Sequence, residues 1–164
     1  MKYIYYTLLI FLFTLNCESS PKKNSQNKKN TEKNLNQVNS NSNKILLLSD
    51  DQMKFDQNIL LVKVGQKITL TLIHVGKLDK TIMGHNFVLL KKDVSASNFA
   101  QLANESANND YIPNNSNDII AHTKMIGGGE SDTINFDAPE KGVYTYICSF
   151  PGHFALMRGK LIVD

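Results

Sequence analysis

The stretch "KITLTLIHV" at residues 67–75 alternates apolar and polar side chains. Four side chains share one face of the extended chain: Ile68, Leu70, Leu72 and His74. Thr69 and Thr71 fall on the opposite face. A repeat of two residues is typical of a β-strand that buries one face and exposes the other. The stretch therefore predicts a strand that covers a hydrophobic core.

Further apolar runs lie on both sides of this strand, and turn residues separate them. They cover residues 45–49, 59–65, 85–91, 132–138, 142–148 and 159–163. A series of short strands with turns between them is typical of a β-sandwich or a barrel. We therefore predict an all-β domain of about eight strands over residues 45–164.

One segment interrupts the strands, between Val94 and Ala121. Phe99, Leu102 and Ala103 have helical spacing there, and Ser97 is a candidate N-cap. The segment predicts a short inserted helix, followed by an Asn-rich loop.

The first seventeen residues have the composition of an export signal. Lys2 is followed by an apolar run that is too short to span a bilayer and ends at Cys17. A cysteine in this position resembles the lipobox of bacterial lipoproteins, although Thr14 and Asn16 depart from its usual pattern. We expect export to the periplasmic side of a bacterial membrane. The protein is either lipid-anchored through Cys17 or soluble after Cys17 is removed with the signal.

Residues 18–44 are almost wholly Asn, Lys, Ser, Gln and Glu, which predicts a disordered tether. The tether has six Lys and two Glu and carries a net charge of +4, and Lys2 adds +1. Residues 45–164 have eleven basic and thirteen acidic side chains and carry a net charge of −2, so the whole chain carries +3. Because the excess of positive charge lies outside the predicted folded domain, the composition argues against nucleic-acid binding.

A metal site is indicated by "CSFPGHFALM" at residues 148–157, which places a cysteine, a histidine and a methionine in ten residues. Cys148 ends one predicted strand and Met157 precedes the next, so the loop between them can turn Cys148, His153 and Met157 toward one point. His85 in "MGHN" at 83–86 supplies a second imidazole. Two imidazoles, a thiolate and a weak thioether are the ligands of blue-copper electron-transfer sites.

Two other interpretations of Cys148 remain open at this point. A lone cysteine is most often a buried core residue. Cys148 and His153 could also form a nucleophile and its base, but no third orienting group is evident and the Pro-Gly turn offers no helix N-terminus to lower the thiol pKa.

Four motifs follow one another along the chain: "MGHN" at 83–86, "AHTK" at 121–124, "IGGGE" at 126–130 and "CSFPGHFALMRG" at 148–159. Together they resemble the motifs of the azurins, bacterial members of the cupredoxin family of blue (type 1) copper proteins. The resemblance covers residues 45–164 and implies a cupredoxin-like Greek-key sandwich. It also implies one copper ion bound by His85, Cys148, His153 and Met157, with the Gly84 carbonyl as a weak axial ligand.

Around these ligands we expect five supporting residues: Met83, Asn86, Ser149, Phe150 and Pro151. Asn86 is expected to hydrogen-bond across to the Cys148 loop, and Met83 to cover the site. The resemblance implies that His74 is a buried histidine and His122 a surface histidine, neither of them a ligand. The chain departs from the azurins in having no cysteine pair for a disulfide and no tryptophan; Phe87 follows "MGHN" instead.

These residues predict a one-electron carrier that is not itself an enzyme. Electrons would pass through the edge of His153, within an apolar patch formed by Met83, Phe154, Ala155 and Leu156. The expected partners are redox proteins such as c-type cytochromes or copper and haem reductases. The alternative is a membrane-anchored copper scavenger or delivery protein that uses the same pocket.

Overall fold

The computed structural model describes residues 43–114 and 116–164. The predictions for the leader, for Cys17 and for the tether up to residue 42 lie outside these residues. Within the described ranges, no helix combines the length and the apolar character that crossing a bilayer requires.

Nine strands and two short α-helices follow one another along the described chain. The strands are β1 (Lys44–Asp50), β2 (Lys54–Phe55), β3 (Ile59–Val62), β4 (Lys67–His74), β5 (Val88–Leu90), β6 (Ile119–His122), β7 (Ser131–Asp137), β8 (Gly142–Ile147) and β9 (Arg158–Val163). The helices are α1 (Lys80–Met83) and α2 (Ala96–Ala103), with 3₁₀ helices at Asn104–Asn109 and His153–Ala155.

The strands form two sheets. One has the order β2-β1-β4-β7 and the other the order β3-β9-β8-β5-β6. In the first sheet β1 runs parallel to β4, and β4 runs antiparallel to β7. In the second sheet β9 lies between β3, which is parallel to it, and β8, which is antiparallel. The all-β prediction is confirmed.

The core lies where the alternating faces of these strands meet. The predicted inner face of β4 is fully buried at Ile68, Leu70, Leu72 and His74. Phe87 and Tyr146 are also fully buried, and their ring centroids are 5.2 Å apart. The Tyr146 hydroxyl donates a 2.6 Å hydrogen bond to the Gln57 carbonyl. This aromatic pair fills the core in a chain that has no tryptophan.

The inserted helix is present as α2, but the predicted N-cap is wrong. Ser95 is the N-cap and accepts a hydrogen bond from the Asn98 amide, so the helix begins before Ser97. Leu102 is 53% exposed, whereas Phe99 and Ala103 are buried. The helix therefore packs through a narrower apolar stripe than the sequence spacing suggested.

Candidate metal centre

Three of the predicted ligands lie together at one end of the sandwich. His85 follows α1, Cys148 follows β8, and His153 begins the second 3₁₀ helix. Each offers one donor atom, and these three atoms lie within 4.8 Å of one another. The Cys148 Sγ is 3.9 Å from the His85 Nδ1 and 3.7 Å from the His153 Nδ1. Among the described residues this is the one cluster of three or more His, Cys, Asp or Glu side chains suited to a metal ion.

The spacing of these atoms fits a trigonal metal site. Cysteine sulfur and imidazole nitrogen bind Zn²⁺, the neighbour of copper in the first row, at about 2.3 Å and about 2.0–2.1 Å. Two such bonds that meet at about 120° place sulfur and nitrogen about 3.8 Å apart, close to the two separations observed here. A thiolate with two imidazoles suits copper in both of its common oxidation states.

The orientation of His85 is fixed from outside the cluster. Its Nε2 lies 2.8 Å from the backbone carbonyl of Asp50. Because a carbonyl oxygen only accepts hydrogen bonds, Nε2 must carry the proton. The lone pair of Nδ1 is then free and lies on the side of the ring that faces Cys148.

The loop from Cys148 to Met157 is closed by its own backbone. The Cys148 amide donates to the Met157 carbonyl (2.9 Å), and the Met157 amide donates to the His153 carbonyl (2.8 Å). Gly152 has φ +81°, a left-handed conformation that favours glycine and turns the chain immediately before His153. Met157 is fully buried in this loop.

Gly84 brings its backbone against the cluster. Its carbonyl oxygen lies 3.8 Å from the Cys148 Sγ. A side chain here would collide with the Lys80 carbonyl and press on the Met125 thioether. The approach of this carbonyl therefore depends on glycine.

A buried hydrogen-bond network joins the His85 and Cys148 segments. Asn86 accepts a hydrogen bond from the Ser149 amide (2.8 Å) and donates to the Ser149 hydroxyl (2.8 Å). It also donates to the Asp110 carbonyl (3.0 Å), and the Ser149 hydroxyl lies 2.9 Å from the Tyr111 carbonyl. The structure thus places Asn86 and Ser149 where they tie the two ligand segments to the loop that follows α2.

The other expected supporting residues surround the cluster less closely. The Phe150 ring centroid is 4.6 Å from that of His153. Met83 is partly buried, and its carbonyl lies 3.0 Å from the His74 Nε2. Pro151 is exposed in the turn before Gly152.

The two remaining histidines stand outside the cluster of donor atoms. His74 is fully buried and its ring stacks on that of His85, with centroids 4.4 Å apart. Its Nδ1 accepts from the Gly76 amide at 2.9 Å. His122 is exposed, and its Nδ1 lies 3.1 Å from the Thr123 carbonyl.

Three residues that shape the site were not predicted from the sequence. The Asp50 carbonyl orients His85, and the Met125 thioether lies against Gly84. Asp51 accepts the Lys77 amide (2.8 Å) and lies 3.7 Å from the His74 Nε2. A backbone carbonyl leaves no signal in residue identity. Met125 adjoins the "IGGGE" motif and could have been considered for that reason.

Burial keeps the cluster uncharged when no metal is bound. Desolvation raises the pKa of the Cys148 thiol to about 12. Desolvation, helped by the nearby His85 and His74, lowers the pKa of His153 to about 4. Desolvation also lowers the pKa of His85. A buried thiol with a raised pKa is a poor nucleophile, which argues against the Cys148–His153 dyad.

Comparison with known proteins identifies the family. Residues 42–164 match the model of "Copper binding proteins, plastocyanin/azurin family". The chain belongs to the plastocyanin/azurin family. The azurin resemblance and the predicted cupredoxin fold are confirmed, and as a member of this copper-binding family the protein binds copper, the predicted cofactor.

Curated azurins and solved cupredoxin structures agree with this assignment. The chain is 43% identical over 124 residues to Azurin-1 of Alcaligenes xylosoxydans xylosoxydans, covering 72% of this chain and 95% of that protein. It is 39% identical over 116 residues to azurin of Pseudomonas aeruginosa, covering 68% and 78%.

Two solved structures of this family superpose on the described fold. Auracyanin from Roseiflexus castenholzii matches with a TM-score of 0.69 and 32% identity, over 75% of this chain and 98% of that chain. The azurin Az-iso2 from Methylomonas sp. strain J matches with a TM-score of 0.67 and 32% identity, over 74% and 97%.

Proposed function

We propose that this azurin-like protein transfers single electrons through a copper ion held by His85, Cys148 and His153. The observation that carries the assignment is the convergence of one thiol sulfur and two imidazole nitrogens at 3.7 and 3.9 Å from the sulfur. Met157 and the Gly84 carbonyl would also hold the ion, as weaker donors. Copper supplies the one-electron couple.

The role of the protein in this mechanism is to fix the positions of these ligands. His85 is fixed by the Asp50 carbonyl, and the Cys148–Met157 loop is fixed by its backbone hydrogen bonds. Asn86 and Ser149, both buried, join the two segments. A shell that cannot relax keeps the same ligand positions in both oxidation states, which reduces the reorganisation that accompanies electron transfer.

Electrons are proposed to enter and leave at the Nε2 edge of His153. Among the described residues, every fully buried side-chain nitrogen or oxygen has a hydrogen-bond partner. The His153 Nε2 makes no such bond to residues 43–114 or 116–164, so this edge of the ring reaches the surface although the residue is only 4% exposed. The surface around it is apolar and accessible at Ala155 and Leu156, with Met83 and Phe154 partly buried. A small apolar surface suits brief docking by redox proteins such as c-type cytochromes or copper and haem reductases.

An absorption spectrum of the copper-loaded protein tests the ligand assignment. The oxidised form should show an intense blue thiolate-to-copper charge-transfer band, which a reductant should bleach and an oxidant restore. Cys148→Ser should lack the band because Cys148 is the one thiol in the described part of the chain. A blue Cys148→Ser protein that still transfers electrons would refute the ligand assignment. Copper that is released on reduction would instead indicate delivery of the metal.

For the N-terminal region we propose export and acylation at Cys17, which would anchor the protein at the periplasmic side of a bacterial membrane. Support comes from the apolar run that ends at this cysteine. One acyl group binds a membrane only weakly, so stable anchoring needs more than one chain. Cell fractionation and mass analysis of the mature N-terminus test the proposal. Cys17→Ala should release the protein with its spectrum unchanged, whereas an unmodified N-terminus that begins after Cys17 would indicate a soluble periplasmic protein.

A further inference from the structure

A groove of about 570 Å³ lies on the outer side of the second sheet, beside the start of α2. Its polar lining is formed by Asn58, Thr145, Arg158 and Lys160, and Ile59, Ala96 and Gly159 complete it. We call these seven residues the cationic groove. No carboxylate lines it, so it presents two positive side chains on a domain whose residues 45–164 carry a net charge of −2.

Both positive side chains of the groove lack an acidic partner among residues 43–114 and 116–164. The Lys160 Nζ donates a 2.9 Å hydrogen bond to the Thr145 hydroxyl, which holds the ammonium against the sheet without neutralising it. Arg158 makes no side-chain hydrogen bond or ion pair in this part of the chain. By contrast, Lys63 and Lys67 pair with carboxylates at 2.9 and 2.8 Å. The positive charge of the groove is therefore available to another molecule.

The strand geometry places these two charges side by side. Arg158 and Lys160 are two residues apart on β9 and both are exposed, so they project from the same face. Two residues of an extended strand span about 7 Å. Like charges at this distance repel each other, and an acidic group between them relieves that repulsion.

Neighbouring residues at the start of α2 link the cationic groove to the surface around His153. Ala96 lines the cationic groove, and the next residue, Ser97, lines a second groove of about 310 Å³. Phe150, Gly152 and Phe154 also line this second groove, and they flank His153 in sequence. A protein seated over the His153 edge therefore reaches Arg158 and Lys160 by extending across the start of α2.

We propose that the cationic groove binds acidic side chains of the redox protein that exchanges electrons at His153. This inference rests on the proposed function. The apolar surface at His153 gives the close contact that electron transfer needs, while Arg158 and Lys160 attract and orient the acidic flank of the partner. Charges at the rim of an interface act mainly on the association rate and its dependence on salt.

Stopped-flow kinetics with two probe proteins test the proposal. The copper-loaded protein is mixed at low ionic strength with an acidic c-type cytochrome and, separately, with a basic one. Arg158→Gln/Lys160→Gln should lower the second-order rate constant with the acidic cytochrome about tenfold and flatten its dependence on ionic strength. The rate with the basic cytochrome should stay the same or rise.

The matched control removes two positive charges elsewhere, in Lys63→Gln/Lys141→Gln. Lys63 pairs with Asp164 beyond the far end of β9, and Lys141 precedes β8, whose first residue pairs with Val163 at the same end. This variant should retain at least half of the wild-type rate with the acidic cytochrome. An equal loss in both variants would overturn the proposal, because net charge alone would then explain the effect.

Two further measurements distinguish this proposal from its alternatives. Reduction by ascorbate should be equal in all three proteins; a wild-type protein that ascorbate cannot reduce would contradict the electron-transfer function itself. Inorganic phosphate at about 1–10 mM, with ionic strength held constant, should not change the difference in rate constant with the acidic cytochrome between the wild type and Arg158→Gln/Lys160→Gln. If phosphate abolishes that difference, the groove is a site for small oxyanions and the docking proposal is wrong.

Discussion

The imidazole of His85 and the backbone carbonyl of Asp50 form a 2.8 Å hydrogen bond between residues 35 positions apart in the chain. This bond fixes the tautomer of His85 and turns its Nδ1 toward Cys148. The Asp50 side chain in turn accepts hydrogen bonds from the Gln52 amide (2.8 Å) and the Lys54 amide (3.2 Å). A turn at the end of β1 therefore holds the carbonyl that orients a metal ligand.

Asp50→Ala should weaken copper binding about tenfold, at the lower end of the range for residues that support metal ligands. The carbonyl remains in this variant, but the turn that aims it loses two hydrogen bonds. Asp50→Asn is the matched control, because its amide oxygen can still accept both bonds. Competition with a copper chelator measures the affinities. Equal affinities of the alanine variant and wild type would show that the turn does not control His85.

Copper uptake at pH 7 should release one proton for each ion bound. The Cys148 thiol, with its pKa raised to about 12, is protonated before binding and must become a thiolate. His153 contributes no proton because its pKa is lowered to about 4.

Titration of the copper-free protein in weak buffer with a pH indicator measures this release. Cys148→Ser should release none, since a serine hydroxyl stays protonated. Release of two protons by the wild type would show that one of the histidines is charged in the copper-free state.

Met157→Leu should retain copper and raise the reduction potential. Loss of a weak thioether donor destabilises the Cu(II) form more than the Cu(I) form, and axial ligands are known to tune this potential. Leucine has a similar volume to methionine, so the fully buried position should stay packed. Protein-film voltammetry measures the shift. Complete loss of the metal would contradict the assignment of Met157 as a weak ligand.

Asn86→Ala should destabilise the copper-free protein by about 2–4 kcal/mol. It leaves the buried Ser149 amide without its partner, which costs about 1–3 kcal/mol, and removes the part-buried hydrogen bond to the Asp110 carbonyl, which contributes about 1 kcal/mol. Ser149→Ala leaves the Asn86 bonds to the Ser149 amide and Asp110 in place and should cost only about 1 kcal/mol. Urea unfolding measures both values. Equal losses in the two variants would mean that Asn86 does not join the segments.

Much of this fold is readable from the sequence because its strands are locally periodic. The alternation of β4 identified four side chains that are all fully buried. The two-residue β2 is too short for any period, and β6 begins within the segment interpreted as helix and loop. The pairing of β6 with β5 is a tertiary contact that local sequence does not encode.

The candidate site likewise combines residues that the sequence predicts with a group that it does not predict. Cys148, His153 and Met157 are close in sequence, so their spacing alone brought them together as candidate ligands. His85 lies far from them in sequence and was identified as a candidate ligand from a second motif, "MGHN" at 83–86. The Asp50 carbonyl could not be predicted, since any residue carries a carbonyl and only the folded chain places this one beside His85.

Acid should destabilise the copper-free protein in a window set by its buried histidines. The pKa of His153 falls from the ordinary 6.5 to about 4, and that of His85 is also lowered, both chiefly through desolvation. Between these values the unfolded chain binds protons that the folded chain does not, so the free energy of unfolding decreases as pH falls from about 6.5 to about 4. Above about pH 7.5 these histidines are neutral in both states and contribute no slope.

Urea unfolding of the copper-free protein across this range measures the effect. His153→Gln should flatten the dependence on pH, because glutamine does not titrate. His122→Gln, the same replacement at an exposed position outside the metal centre, is the matched control. A slope that persists in His153→Gln/His85→Gln would place the titrating groups elsewhere. The copper-loaded protein should resist acid to a lower pH, because the bound ion competes with protons for the same nitrogen atoms.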